Sequence, residues 1–130
     1  MKGAAGPPAG KVIIGTVAGD IHDIGKDLVV IMLRSANYEV TDLGVDVPVQ
    51  KFVEAVRQTG ATVVGLSCLL TTAFDSMRAT IKALDESGLR PGVKVMVGGG
   101  PVDRKACEYA GADAWGTDAN VAITLCKEWI

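Results

Sequence analysis

The chain has 130 residues, 48% of them apolar and 22% charged, a size and balance that fit one self-sufficient core and exclude a disordered chain. Thirteen Lys and Arg against fifteen Asp and Glu leave a net charge of −2 with no basic stripe, which argues against nucleic acid as a partner. No apolar run approaches the ~20 residues that cross a bilayer, the first ten residues lack a secretory layout, and Cys68, Cys107 and Cys126 form no Cys-x-x-Cys pair, so no membrane partner is expected and the setting is cytoplasmic with reduced thiols.

Residues 1–10, MKGAAGPPAG, are too rich in Gly, Pro and Ala to pack and read as a linker or the remnant of one, leaving 11–130 as the domain. From Lys11 the chain alternates between β-rich runs and helical periods, the pattern of a parallel sheet covered by helices. Lys11 to Val17 is the first predicted strand; Asp27 to Ala36, with six apolar residues in succession, is read as a helix although periodicity alone leaves it ambiguous. Tyr38 to Gly44 is the second strand, and Pro48 opens a helix with Val49, Phe52, Val53 and Val56 on one side and Gly60 at its end. Ala61 to Ser67 is a buried strand, after which Thr72-x-x-Asp75 resembles a capping box before Met77, Ile81 and Leu84. Val93 to Val97 leads into Gly98-Gly99-Gly100-Pro101 and a helix to about Ala110; a short strand at Ala112 to Trp115 and a helix begun by Asp118 complete five strands and five helices. The fold class is α/β, a Rossmann-like, flavodoxin-like five-stranded parallel sheet with helices on both faces. Such sheets bind ligands beyond the carboxyl ends of their strands, which directs attention to residues 18–25, 44–48, 67–74, 98–101 and 116–118.

The only histidine, His22, lies in the first of these loops. A lone His is most often structural, but residues two apart in an extended loop point the same way, so Asp20 can accept from one ring nitrogen while the other faces outward, a metal-ligand arrangement. No second His and no Cys or acid stands at zinc spacing, which argues against a protein-only cage, whereas one imidazole suffices where a macrocycle supplies the other ligands. Taken alone, Gly98-Gly99-Gly100-Pro101 is a turn needing positive φ. Neither a Gly-Lys-Ser/Thr nor a G-x-G-x-x-G is present, which disfavours nucleoside triphosphates and NAD.

Asp20-x-His22-x-x-Gly25, Ser67-x-Leu69 and Gly98-Gly99, falling on three of the expected loops, resemble the cobalamin-binding domain family from about Lys11 to the C-terminus. The stretches GDIHDIGKDLV and YEVTDLGVDVP look most like the corrinoid carriers of methyl transfer and the matching module of methionine synthase. The resemblance implies a cobalamin or related corrinoid bound base-off, with His22 as the cobalt ligand and Asp20 tuning it. It also places Ile21, Asp23, Ile24 and Gly25 around the cofactor, Leu69 beneath the corrin, and Ser67, Thr71, Gly98, Gly99 and Gly100 along a slot for the nucleotide tail. The implied function is a methyl carrier, not catalytic alone, that accepts a methyl group on Co(I) and presents methyl-Co(III) to a partner methyltransferase. Implied partners are a substrate-specific methyltransferase, a second methyl-accepting methyltransferase, a helical cap domain and a reductive activator. Methionine synthase extends the Asp-His pair with a serine that matches Ala73 here, so a third relay member is open; Thr72 or water is the substitute. Cys68, Trp115 and Trp129 are read as packing residues. Two other readings are an adenosylcobalamin module of a mutase or B12-dependent regulator, and a cofactor-free flavodoxin-like regulatory domain, the latter weakened because the third strand ends in Ser67 rather than a phospho-accepting Asp.

Overall fold

Stretches rich in Val and Ile alternate with amphipathic helices along the whole chain, and the computed structural model, which describes residues 9–90, 92–116 and 119–130, turns each β-rich stretch into one strand of a single sheet. In chain order the elements are β1 (Lys11–Thr16), α1 (Ile24–Ser35), β2 (Glu39–Asp42), α2 (Val49–Thr59), β3 (Val63–Ser67), a 3-10 turn (Thr71–Ala73), α3 (Phe74–Glu86), β4 (Lys94–Gly98), α4 (Arg104–Ala110), β5 (Ala114–Gly116) and α5 (Ala119–Trp129). The strands are all parallel in the order β2-β1-β3-β4-β5. Strand order reverses between β1 and β3, so the loops leaving these two strands diverge and open the crevice that such sheets use for ligands.

Burial on both faces explains the near-continuous apolar strands. Ile13, Val64, Leu66, Val95 and Val97 face α2, α3 and α4, where Phe52, Met77, Ile81 and Leu84 fill the larger core. Val12, Ile14, Val63 and Met96 face α1 and α5 in a smaller cluster with Val30, Leu33 and Cys126. The smaller core is incomplete at its upper end, because Gly65, Ser67, Gly98 and Gly116 replace larger side chains on that face.

Several element ends depart from the sequence expectation, among them β3, which starts at Val63 rather than Ala61. α1 begins at Ile24 rather than Asp27, and Ile24, Leu28 and Ile31 fall on an exposed side of it, which is why its buried stripe is blurred in the sequence. The predicted capping box is not formed: Ala73 holds the N-cap position of α3 with no side-chain cap, and Asp75 accepts from the Tyr109 hydroxyl instead. The 3-10 turn that displaces it positions Leu69 and Leu70 above β3. β5 starts at Ala114 rather than Ala112, because Ala112 closes the end of α4 on the Cys107 carbonyl and the Asp113 carboxylate accepts from the Val95 amide. β2 is shorter than predicted, ending at Asp42.

Residues 1–8 of the expected linker and Asp118, the expected start of the last helix, lie outside the described residues; Ala9 donates to Asn37 and the Gly10 carbonyl accepts from Glu39. Among the described residues no helix is long and apolar enough to cross a membrane. All three cysteines are buried and free.

Candidate functional site

Asp20 organises the crevice. β1 runs past Thr16 into a tight turn in which Asp20 donates to the Val17 carbonyl and Gly19 adopts φ +89°. The turn is tied to the loop after β2, since Gly19 donates to the Asp46 carboxylate at 2.8 Å and Asp46 donates to the Asp20 carbonyl at 2.8 Å. The Asp20 side chain is fully buried and its oxygens face two different loops. Oδ1 accepts from the His22 amide at 2.9 Å and faces His22 Nδ1 at 2.8 Å, while Oδ2 accepts from the amides of Leu69 at 2.6 Å and Leu70 at 3.1 Å. One carboxylate thus bridges the loops that diverge from β1 and β3.

Burial by itself pushes the Asp20 carboxyl up, but the hydrogen bonds from His22, Leu69 and Leu70 outweigh it and hold the group below the ordinary carboxylate value. An ionised carboxylate only accepts, so Nδ1 of His22 is the donor in this pair. The buried Thr16 hydroxyl donates to the His22 carbonyl at 2.9 Å and fixes the backbone below the ring. The His22 side chain is 49% exposed, and no described residue hydrogen-bonds Nε2.

Beside His22 a slot of about 240 Å³ runs down between α1 and α5 over the sheet. Its geometry follows from register. Ser67, Gly98 and Gly116 form one row across β3, β4 and β5 at the mouth, and Ile14, Gly65 and Met96 form a row one pleat deeper across β1, β3 and β4. A Cβ at Gly65 would meet Ile14 Cδ1 at 2.6 Å and Met96 Cε at 3.1 Å, so a side chain there would fill the floor. Gly99 is under tighter demand: its φ is +138°, and a Cβ would stand 1.8 Å from the Cys68 carbonyl oxygen.

The sequence-derived residues distribute unevenly over this geometry. His22, Gly25, Ser67, Leu69, Gly98, Gly99 and Gly100 all line the slot or its mouth. Ile21, 72% exposed, and Ile24, 84% exposed, flank His22 as bare apolar surface, and Asp23 stands exposed at the α1 N-cap. Thr71 is not brought into the slot; it borders a separate shallow groove with Thr72, Asp75 and Tyr109. Neither Thr72 nor any other described hydroxyl extends the Asp20–His22 pair, Ala73 is buried, and Asp20 Oδ2 accepts from two backbone amides. Cys68 is buried beside them and donates to the Leu70 carbonyl at 3.1 Å; burial pushes its thiol up to about 11, which fits a packing role. Trp115 is part-exposed on the edge strand and Trp129 packs against the smaller core.

Sequence reasoning missed Lys26 and the walls of the slot. Lys26 is buried, and its ammonium bonds Asp27 and both oxygens of Asp42 at 2.9 Å, joining the first turn of α1 to the end of β2. Burial pushes the Lys26 ammonium down, but the two carboxylates outweigh it and hold it above its ordinary value. Val29, Ala122 and Leu125 form the facing walls. The available signal was Gly65 inside an apolar strand run, a position where a ligand or neighbouring backbone approaches closely. Among the described residues no three His, Cys, Asp or Glu side chains are grouped to hold a metal ion. A metal at His22 therefore needs ligands from a prosthetic group, and the half-exposed imidazole, apolar flank and glycine-floored slot fit a macrocycle carrying a tail.

Comparison with known proteins agrees. Residues 10–124 match the model of the B12 binding domain. The chain is 44% identical over 127 residues to dimethylamine corrinoid protein 3 of Methanosarcina mazei, covering 98% of this chain and 76% of that one, and 43% identical to the dimethylamine corrinoid protein of Methanosarcina barkeri, covering 98% and 60%. Among solved structures, a cobalamin-binding protein from Desulfitobacterium hafniense superposes with a TM-score of 0.91 at 43% identity over 94% of this chain and 59% of that one. The methanol:cobalamin methyltransferase complex of Methanosarcina barkeri superposes at 0.89 with 29% identity over 98% and 48%. The chain thus spans roughly 60% of the length of most of these relatives. A CheY-like protein from Pseudomonas aeruginosa, at TM-score 0.69 and 22% identity over 91% of this chain and 98% of that one, shares the fold alone.

Proposed function

Because the chain belongs to the B12-binding domain family, we propose that it binds a cobamide with the lower base displaced from cobalt and His22 in its place, and that it is the methyl-carrying module of a methyltransferase system. The observation that carries the reading is the Asp20–His22 pair, in which a buried, fully hydrogen-bonded carboxylate orients a half-exposed imidazole at the mouth of the slot. When bound, the cobamide supplies a cobalt centre able to take a methyl group from one protein and yield it to another.

The chain's own residues bind and orient. Asp20 fixes the aim of His22 through the contact at Nδ1. Ile21, Ile24 and Leu69 offer apolar surface to the face of the macrocycle. The Ser67 hydroxyl and the backbone of Gly98, Gly99 and Gly100 line the path of the nucleotide tail into the slot. Its partners are a substrate-specific methyltransferase, a second methyl-accepting methyltransferase, a helical cap and a reductive activator. Relatives named for dimethylamine and monomethylamine, and one found in a methanol system, share this module, which supports placing substrate choice in the partner rather than here.

The test is reconstitution with hydroxocobalamin, followed by the visible spectrum and, after one-electron reduction of the diamagnetic Co(III) to paramagnetic Co(II) with an added chemical reductant, by electron paramagnetic resonance of protein labelled with ¹⁵N-histidine. A histidine-nitrogen hyperfine coupling present in the wild type and lost in His22→Ala is the expected result. Retention of benzimidazole-nitrogen coupling in the wild type would overturn axial ligation by His22.

A further inference from the structure

Polarity changes along the slot. At the mouth stand His22, Ser67 and the backbone of Gly98–Gly100, whereas one pleat deeper the floor is Ile14, Gly65 and Met96 and the walls are Val29, Ala122 and Leu125. Among the described residues, three lining side chains carry polar atoms: His22, Ser67 and Lys26. His22 is bonded to Asp20 and directed outward, Lys26 is held by Asp27 and Asp42, and Ser67 lies in the mouth row. The backbone of the floor is equally closed, because β3 pairs with β1 on one edge and β4 on the other and spends the amide and carbonyl groups around Gly65 in those ladders. Among the described residues, the deep half of the slot therefore offers no side-chain hydrogen-bond partner to what enters it.

Resting on the cobamide reading above, we infer that this deep half selects the lower base of the cofactor, accepting cobamides with a benzimidazole base and disfavouring those with a purine. An adenine carries an exocyclic amino group and ring nitrogens beyond the one joined to the ribose. In the slot these groups exchange water for Met96, Val29 and Leu125 and gain nothing in return. A benzimidazole presents methyl and ring carbon in the same places, which match the lining. Apolar pockets reject polar analogues only moderately, so the expected preference is about tenfold to a hundredfold in Kd.

The test measures Kd by visible titration of the full chain with cobalamin, with adeninyl-cobamide and with cobinamide, which lacks the nucleotide. Met96→Gln puts a carboxamide on the slot floor in nearly the same volume, and Leu125→Gln does so from the α5 wall should the first variant fail to fold. The ratio of adeninyl-cobamide to cobalamin Kd in each variant is compared with the same ratio in the wild type, and that comparison cancels differences between the free cofactors. A wild-type ratio of at least about tenfold that falls severalfold in the Gln variant supports the inference. A smaller wild-type ratio, a preference for the purine, or a ratio that the Gln variant leaves unchanged overturns it. Cobinamide separates the two levels: if it and the cobamides all bind with equal affinity, base selection fails while the cobamide reading stands, and if none binds, both fail.

Discussion

Asp20→Ala removes a group that holds two loops as well as a histidine. The carboxylate is fully buried and makes four hydrogen bonds, two within its own loop and two across to Leu69 and Leu70, 49 and 50 residues away. Hydrogen bonds to a charged acceptor contribute about 1.5–3 kcal/mol each. That sum is an upper bound, because Leu69, Leu70 and His22 are exposed enough for their donors to recover water, and because deleting the carboxylate relieves its own desolvation. A net loss of about 2–4 kcal/mol follows, enough to lower Tm by roughly 10–15 °C in a domain of this size while leaving it folded at 25 °C. Urea unfolding of the cofactor-free chain, followed by the fluorescence of Trp115 and Trp129, measures it. Asp20→Asn is expected to be as damaging as Ala, since its NH₂ would face N–H donors whichever way the amide is turned. His22→Ala, which removes a half-exposed ring and one of the four bonds, should cost under about 1 kcal/mol. An Asp20→Ala chain within 0.5 kcal/mol of wild type would refute the bridging role.

Gly99→Ala should cost about 3 kcal/mol or more in the same unfolding assay, since φ is +138° and the added Cβ would stand 1.8 Å from a carbonyl oxygen; a neutral result would mean the loop can move aside. The Lys26–Asp42 pair predicts acid sensitivity: burial pushes the Asp42 carboxyl up, but Lys26 and the Gly44 amide outweigh it and hold it below 3.8. Its contribution is therefore complete above the unfolded value and lost as pH falls through the lower folded one. Lys26→Met should flatten the acid limb of a stability profile below about pH 4, and an unchanged limb would show that the pair contributes nothing. Cys68 and Cys126, each with its thiol pushed up to about 11 by burial, and the buried Cys107 should resist a thiol reagent in the folded chain and react once it is unfolded.

The layer plan was legible because both faces of the sheet are covered, which forces continuous apolar strands, and because Gly60 closes α2 in the left-handed conformation its composition implies. The Asp20–His22 contact was legible because the two residues are neighbours in sequence, so a local argument reaches the 2.8 Å distance. What stayed hidden is nonlocal. Nothing near residues 69 and 70 shows that their amides belong to a carboxylate at position 20, and the motif Thr72-x-x-Asp75 gives a local preference that this tertiary demand overrides. The walls of the slot were hidden for a related reason: Ala122 and Leu125 read as ordinary core positions of a helix, and only the register of β1, β3 and β4 shows that Gly65 lies between Ile14 and Met96 on the slot floor.

The division of labour at Asp20 also bears on affinity. With one oxygen given to His22 and the other to the loop after β3, the imidazole and the slot mouth are held by a single rigid group, so a ligand that engages both pays little to order either loop. The apolar flank behaves in the opposite way. Ile21 and Ile24 are 72% and 84% exposed next to this rigid centre, and apolar surface concentrated at one place on a small domain marks a contact site rather than ordinary surface. Preorganised polar geometry sets where a ligand sits, and the bare isoleucines supply area that is removed from water only once it arrives. Replacing both by Ser should therefore weaken cobalamin binding without moving the His-ligated spectrum, whereas His22→Ala should change the spectrum first; visible titration of the two variants reads both quantities, and a spectrum altered by the Ser pair would show that the flank positions the ring as well.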